Sequence, residues 1–237
     1  MRAFIAITLL SFATCAEARN TGHLIPFVGC PTGGQTGLQP APKSGKSRWI
    51  EGNIAARLAY YSPGDIGVVA PRGWHCSAVY GSSGSALIVV PDKQTAEAFR
   101  RLRNVPIRGP FVWAGDSFGG TSGRGTVMEA IARYFPSHHD FIRRVREMDL
   151  VFEPLPRGSY RHDLIRHRTS EYVRFMTPAW HQGEGANSLI APNGTAVEGF
   201  RELVGPRNEP DLWGVDVRLP SKDDELTDAI LSNALKH

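Results

Sequence analysis

The chain has 237 residues, 41% hydrophobic and 21% charged, with a formal net charge of +4 at pH 7. Those values describe an ordinary soluble globular protein and exclude a disordered, collagenous or multi-span membrane chain. The length suits one well-cored domain or two small ones.

Met1-Arg2 precedes an apolar run from Ala3 to Ala13 broken only by Thr8 and Ser11, and Ala16-Glu17-Ala18 follows shortly after. A positive start, a short apolar core and an Ala-x-Ala site are the parts of a secretory signal, and the run is shorter than the ~20 residues a membrane-spanning helix needs. Residues 1–18 are therefore predicted to be a cleaved signal peptide, placing the mature chain in the periplasm or outside the cell. Cys15 offers an alternative, a lipoprotein anchor, but Phe12-Ala13-Thr14 is a poor match to the residues that should precede it. Cleavage removes Cys15 and leaves Cys30 and Cys76. In an oxidising compartment a lone pair usually bridges, and only one connection exists; the alternative is two free buried thiols. The loop so closed is long, so chain entropy credits a bridge with at most about 4 kcal/mol.

Residues 19–48 are rich in Gly, Pro, Gln, Ser and Thr and are predicted to be an irregular lead-in pinned by Cys30, ahead of a single globular domain over 49–237. From Trp49 to Tyr61 the spacing of Ile50, Ile54, Leu58 and Tyr61 predicts a helix. Ile66 to Val69 reads as a short strand, and Ser77–Tyr80 with Ala86–Val90 as a hairpin around Gly81-Ser-Ser-Gly84. A helix over Lys93–Arg103, a strand over Pro110–Ala114 and helices over Thr126–Tyr134 and His139–Met148 follow. Tyr172–Met176 is a strand, Ser188–Ala191 and Thr195–Phe200 form a hairpin across Asn193-Gly194, and Leu212–Leu219 is a strand. A last helix starts at Ser221, with Asp223, Asp224 and Glu225 at the positive end of its dipole. The sum is α+β: a single mixed domain with antiparallel hairpins and several helices.

Charge is unevenly placed. From Arg100 to Arg174 there are 14 arginines, no lysine and eight carboxylates, a local excess of six positive charges. Arginine without lysine suits forked pairing with carboxylate or phosphate, so an anionic polymer or lipid head group is a candidate partner; a solvated face is the plainer reading, and nucleic acid is not expected.

Gly115-Asp116-Ser117-Phe118-Gly119 matches the Gly-x-Ser-x-Gly turn that exposes a nucleophilic serine, and Asp163, Glu171 and His181 follow in the order a hydrolase needs. Against it, Thr121-Ser-Gly-Arg-Gly125 delays the helix that should begin at once. A glycine-rich connecting loop with an incidental serine is the competing reading. Phe118 breaks a match to the Gly-Asp-Ser-Gly-Gly of trypsin-like proteases, and Pro40 breaks a phosphate-binding loop ending at Gly45-Lys46-Ser47. His138, His139 and Asp140, the pair His162 and His167, and His75 lack metal-ligand spacing, so neither a metal nor a cofactor is expected.

Several segments together resemble an uncharacterised family of secreted bacterial proteins, a domain of unknown function. They are 27–37 from Phe27-Val-Gly-Cys30, 69–76 ending Gly73-Trp-His-Cys76, Gly120-Thr-Ser-Gly-Arg124, Tyr134-Phe-Pro136, and 210–220 from Pro210-Asp-Leu to Leu219-Pro220. The resemblance implies export and the pairing of Cys30 with Cys76, and it brings no activity, cofactor or functional residue. The sequence thus favours an exported, non-catalytic binding or envelope-associated module. A secreted serine hydrolase using Ser117 and His181 is the alternative.

Overall fold

A computed structural model describes residues 22–35, 37–103, 105–148 and 154–234, and statements about the whole molecule refer to these. The predicted signal and Cys15 lie outside them. In chain order the strands and helices are β1 (His23–Ile25), β2 (Phe27–Gly29), β3 (Thr32–Gly34), β4 (Arg48–Ile50), β5 (Leu58–Ser62), β6 (Val68–Pro71), β7 (His75–Gly81), β8 (Gly84–Val90) and α1 (Lys93–Arg100). β9 (Phe111–Ser117), α2 (Arg124–Tyr134), α3 (His139–Glu147), β10 (Leu164–Arg168), β11 (Tyr172–Thr177), β12 (Val197–Val204), β13 (Asp211–Arg218) and α4 (Leu226–Ser232) complete it. The fold is mixed α+β and dominated by sheet.

Eight strands form the central sheet in the order β10-β11-β12-β13-β9-β8-β7-β3, antiparallel throughout except where β3 runs parallel to β7. A three-stranded sheet, β2-β5-β6, lies against it, and β1 pairs with β4. Along β13 the side chains alternate, as the pleat requires. Trp213, Val215 and Val217 join Leu87, Val89, Val112 and Ala114 in a core shared with Leu58, Tyr61 and Val69 of the small sheet and with Leu226, Ile230 and Leu231 of α4. The Trp213 indole N–H donates to the carbonyl of Ala234 at 2.7 Å, which seats the last helix. Each large apolar side chain buried this completely contributes about 1.5–3 kcal/mol. On the opposite face, Val127, Ile131 and Tyr134 of α2 and Phe141 and Val145 of α3 pack on Val173, Leu203 and Leu212. A third cluster unites Ala96 of α1 with Ile88, Phe111, Ile190 and Val197.

Cys30 and Cys76 form the disulfide, with Cα atoms 5.3 Å apart, and it ties the end of β2 to β7. No helix among the described residues is long and apolar enough to cross a membrane.

Three sequence expectations differ from the structure. The lead-in is not irregular: it holds β1, β2 and β3, strands of three residues each, too short to show a period, and β3 extends the central sheet. The predicted helix over Trp49–Tyr61 is instead β4, a 3-10 turn at Asn53–Arg57 and β5. Gly52 takes φ +82, outside the helical region, and β5 is buried on both faces between β2 and β6, which hides the two-residue alternation that identifies a strand. The Asn193-Gly194 hairpin is absent. Asn193 bonds its own turn and the carbonyl of Arg108, Ile190 bridges Ile107, and β12 takes β11 and β13 as neighbours. Smaller shifts also occur. α1 stops at Arg100, ahead of Leu102 with its left-handed φ of 52, and the strand predicted at Ile66 begins at Val68. The helix predicted from Ser221 opens as a 3-10 turn, with Asp223 and Glu225 both paired to Arg57.

Candidate functional site

In an antiparallel sheet, residues directly opposite one another share a face. On the side of α2, one row across β12, β13 and β9 is Arg201, Gly214 and Gly115. The row beside it is Gly199, Asp216 and Trp113, and the row on the other side is Leu203, Leu212 and Ser117. A Cβ on Gly115 would stand 2.6 Å from the Trp113 ring, and one on Gly214 would stand 2.9 Å from Arg201 Cδ. The two glycines therefore let both long side chains lie down along the sheet and leave a hollow above. Thr126, Glu129, Ala130 and Arg133 of α2 form one wall, Glu184 and Asn187 to Leu189 form the other, and Tyr160 borders the cleft, whose volume is about 450 Å³.

Arg201 is buried beneath it. Its Nε–H donates to Glu184 Oε1 at 2.8 Å, and Nη1 donates to Asp216 Oδ1 and the Phe200 carbonyl, both at 2.8 Å. Nη2 donates to Asp216 Oδ2 at 3.0 Å and to the Glu184 carbonyl at 3.4 Å. All five guanidinium donors are consumed. Burial by itself would lower the Arg201 pKa, but Asp216 and Glu184 outweigh it and hold the group above its ordinary value. Burial pushes the Asp216 carboxyl up, with Arg201 pulling against it. The bidentate geometry keeps the pair ionised.

Glu184 is fixed from both sides, because its Oε2 accepts from the Tyr134 hydroxyl at 3.0 Å. Burial, and then Glu184 itself, raises the Tyr134 phenol far above its usual range, so it stays a donor. The loop that carries Glu184 is held by Asp163. Its Oδ1 accepts from Thr177 Oγ1 at 2.7 Å, its Oδ2 accepts from the Glu184 N–H at 2.9 Å, and Thr177 Oγ1 accepts from the Gly185 N–H at 3.0 Å. Burial raises the Asp163 pKa. Further along the same wall, Ile107 pairs its backbone with Leu189 and Ala191, and the buried Arg218 donates to the carbonyls of Ile107, Gly109 and Ala191.

The candidate triad is distributed as follows. Ser117, at the end of β9, lines the cleft. His181 is exposed, its Nδ1 2.8 Å from the Ala179 carbonyl and its ring centroid 4.4 Å from that of His162. Asp163 spends both oxygens on the Glu184 loop, and Glu171 lies exposed beside Ser170. No histidine lines the cleft among the described residues. The strand bearing Ser117 sits between antiparallel neighbours, and residues 118–123 separate it from α2. His138 is buried with Nδ1 3.1 Å from Ser137 Oγ, and burial, then Arg207, lowers its pKa. No group of three or more His, Cys, Asp or Glu among the described residues is placed to hold a metal ion.

Much of the arginine excess is spent inside the molecule. Arg133 pairs with Glu129 and lies over the Tyr160 ring at 3.8 Å, and Arg168 donates to the Tyr134 carbonyl. Arg174 pairs with Glu198 and Asp228, and Arg124 and Arg144 bond backbone carbonyls. Arg143, paired with Asp140, lines an open groove of about 820 Å³ with Arg146, Arg157, Glu147, Ile142 and Leu155. The ridge between groove and cleft is built by Gly158 and Tyr160, against which Arg133 lies.

Sequence reasoning found Ser117 and missed Arg201, Asp216, Glu184 and Tyr134. The available signal was Gly199-x-Arg201-x-Leu203 beside Gly214-x-Asp216-x-Arg218, where glycines and opposite charges alternate with buried apolar residues on consecutive strands. No protein-family model, curated protein or solved structure matches the chain.

Proposed function

We propose that the chain is exported to the periplasm or the medium and acts there as a non-catalytic binding module that holds a small polar ligand in the cleft over Gly115 and Gly214. The observation that carries this reading is the complete commitment of Arg201. With every donor used, it serves as scaffold, locking Glu184 and the sheet floor into a rigid, pre-organised surface of acceptors. A cleft of this volume with a few fixed polar groups is the usual form of a small-ligand site. The apolar leader and the Cys30–Cys76 bridge support export.

Thermal unfolding against a library of small polar compounds tests it, because a ligand bound only by the folded state adds about 2.7 kcal/mol at a hundredfold excess over Kd. At least one compound should raise the midpoint of the native protein and not of Thr126→Trp, which places an indole in the mouth of the cleft. No such compound, or equal shifts in both proteins, overturns the reading. Labelling by a fluorophosphonate that is lost in Ser117→Ala would favour the hydrolase alternative instead.

A second reading rests on the groove. Arg146 and Arg157 beside Ile142 and Leu155, with Arg143 paired to Asp140 and Glu147 on the same wall, leave a net positive apolar face that suits an anionic head group bearing an apolar chain. Sedimentation with phosphatidylglycerol vesicles, weakened by salt and by replacing the three arginines with glutamine, checks it.

A further inference from the structure

We infer that the ligand of the cleft is a neutral saccharide; this rests on the binding-module reading and names its ligand class. Three features of the lining select it. The first is charge balance. Glu129 pairs with Arg133, and Arg201 is shared by Glu184 and Asp216, so both guanidiniums of the lining already hold carboxylates. An anionic ligand would find no free counter-charge, whereas a neutral one meets polar groups already held in place.

The second is the kind of hydrogen-bonding capacity left over. Glu129 Oε1 takes both bonds from Arg133, at 3.2 and 2.9 Å, which leaves Oε2 as an acceptor. Asn187 Oδ1 accepts from the N–H groups of Leu189 and Ile190 at 2.9 and 3.1 Å, which fixes the amide and leaves its Nδ2 as a donor. Ser117, Thr126 and Ser188 add hydroxyls that can donate or accept. An array of planar acceptors, a planar donor and hydroxyls matches the neighbouring hydroxyls of a sugar ring, each of which also donates and accepts.

The third is the floor. Trp113 lies against Gly115 with the Arg201 guanidinium 5.6 Å from its ring centroid, and Tyr160 stands at the rim with Arg133 on its ring. An indole among polar groups offers apolar contact to the C–H groups of a pyranose, while its hydroxyls reach the walls. The volume of about 450 Å³ has room for a mono- or disaccharide.

Titration calorimetry and tryptophan fluorescence with maltose, cellobiose and diacetylchitobiose test the inference on the full mature chain. At least one should bind, and Asn187→Asp, which keeps the Oδ1 bonds to Leu189 and Ile190 and removes the Nδ2 donor, and Glu129→Gln should each weaken it about tenfold with the fold retained by circular dichroism. Trp113→Phe should retain part of the affinity and Trp113→Leu should lose it. If none of these sugars binds at millimolar concentration, or if binding is indifferent to Asn187 and Glu129, the saccharide assignment is wrong. A charged compound from the library blocked by Thr126→Trp would overturn the assignment and leave the binding module standing. The absence of any Thr126→Trp-sensitive ligand would remove both.

Discussion

The two faces of the central sheet are built on different principles. The face toward β5, β6 and α4 is filled with Val89, Val112, Val215 and Val217, side chains that only pack, and with Trp213, whose indole N–H also holds α4. At the same level the face toward α2 carries Arg201 and Asp216 against two glycines, with a cleft above them. Filling the second face with apolar residues would serve stability as well or better, since a buried ion pair seldom outperforms a hydrophobic substitute of its size. The ionic face is thus best understood through what it positions, namely Glu184, Trp113 and the mouth of the cleft.

The largest expected effect comes from breaking that face halfway. Asp216→Asn removes the bidentate carboxylate from the buried guanidinium and leaves it Glu184 alone, which should cost about 3 kcal/mol in urea unfolding. Replacing both, Arg201→Met with Asp216→Leu, should recover part of that loss, since Glu184 Oε1 then lacks its partner, while abolishing ligand binding. A double variant as unstable as the single would mean that the pair holds the fold and not the site. Next in size is the covalent tie beneath the apolar face. Cys30→Ser with Cys76→Ser should lower stability by about 2–4 kcal/mol, and dithiothreitol should reproduce the loss in the native protein. Gly214→Ala, which pushes a methyl toward Arg201 Cδ, should cost about 1–3 kcal/mol and disturb Trp113 fluorescence.

Two smaller effects sharpen the comparison. His138 is buried near Arg207, and its pKa is lowered from the ordinary 6.5. The folded state therefore favours the neutral ring. Its contribution is fully present above that ordinary value and is lost as the pH falls through the lower, folded-state pKa. Unfolding free energy should fall as the pH drops below 6.5, and His138→Gln should flatten that slope. Ser117→Ala, on the floor of the cleft, should change stability by only about 0.5 kcal/mol or less, so any larger loss in ligand affinity reports contact with the ligand.

Elements with a single buried face were legible from the sequence. α2 and α3 show the spacing of Val127, Ile131 and Tyr134 and of Phe141 and Val145, and the β7–β8 hairpin is flagged by its glycine turn. β5 was not legible, because burial on both faces erases the alternation, and β1 to β3 are too short to carry a period. Of the site, Ser117 stood out through a short motif, yet it pairs with Leu212 and Gly84 and the downstream His181 does not line its cleft.

The sequence by itself pointed to the pairing of Cys30 with Cys76, against two free thiols, and to the mixed α+β class and the helices around α2, since each follows from counting or local periodicity. Only the tertiary structure decided the cleft. Arg201, Asp216, Gly214, Gly115 and Glu184 come from separate strands and a loop, and strand register brings them onto one face. Register is set by long-range pairing across the sheet, which no local pattern encodes.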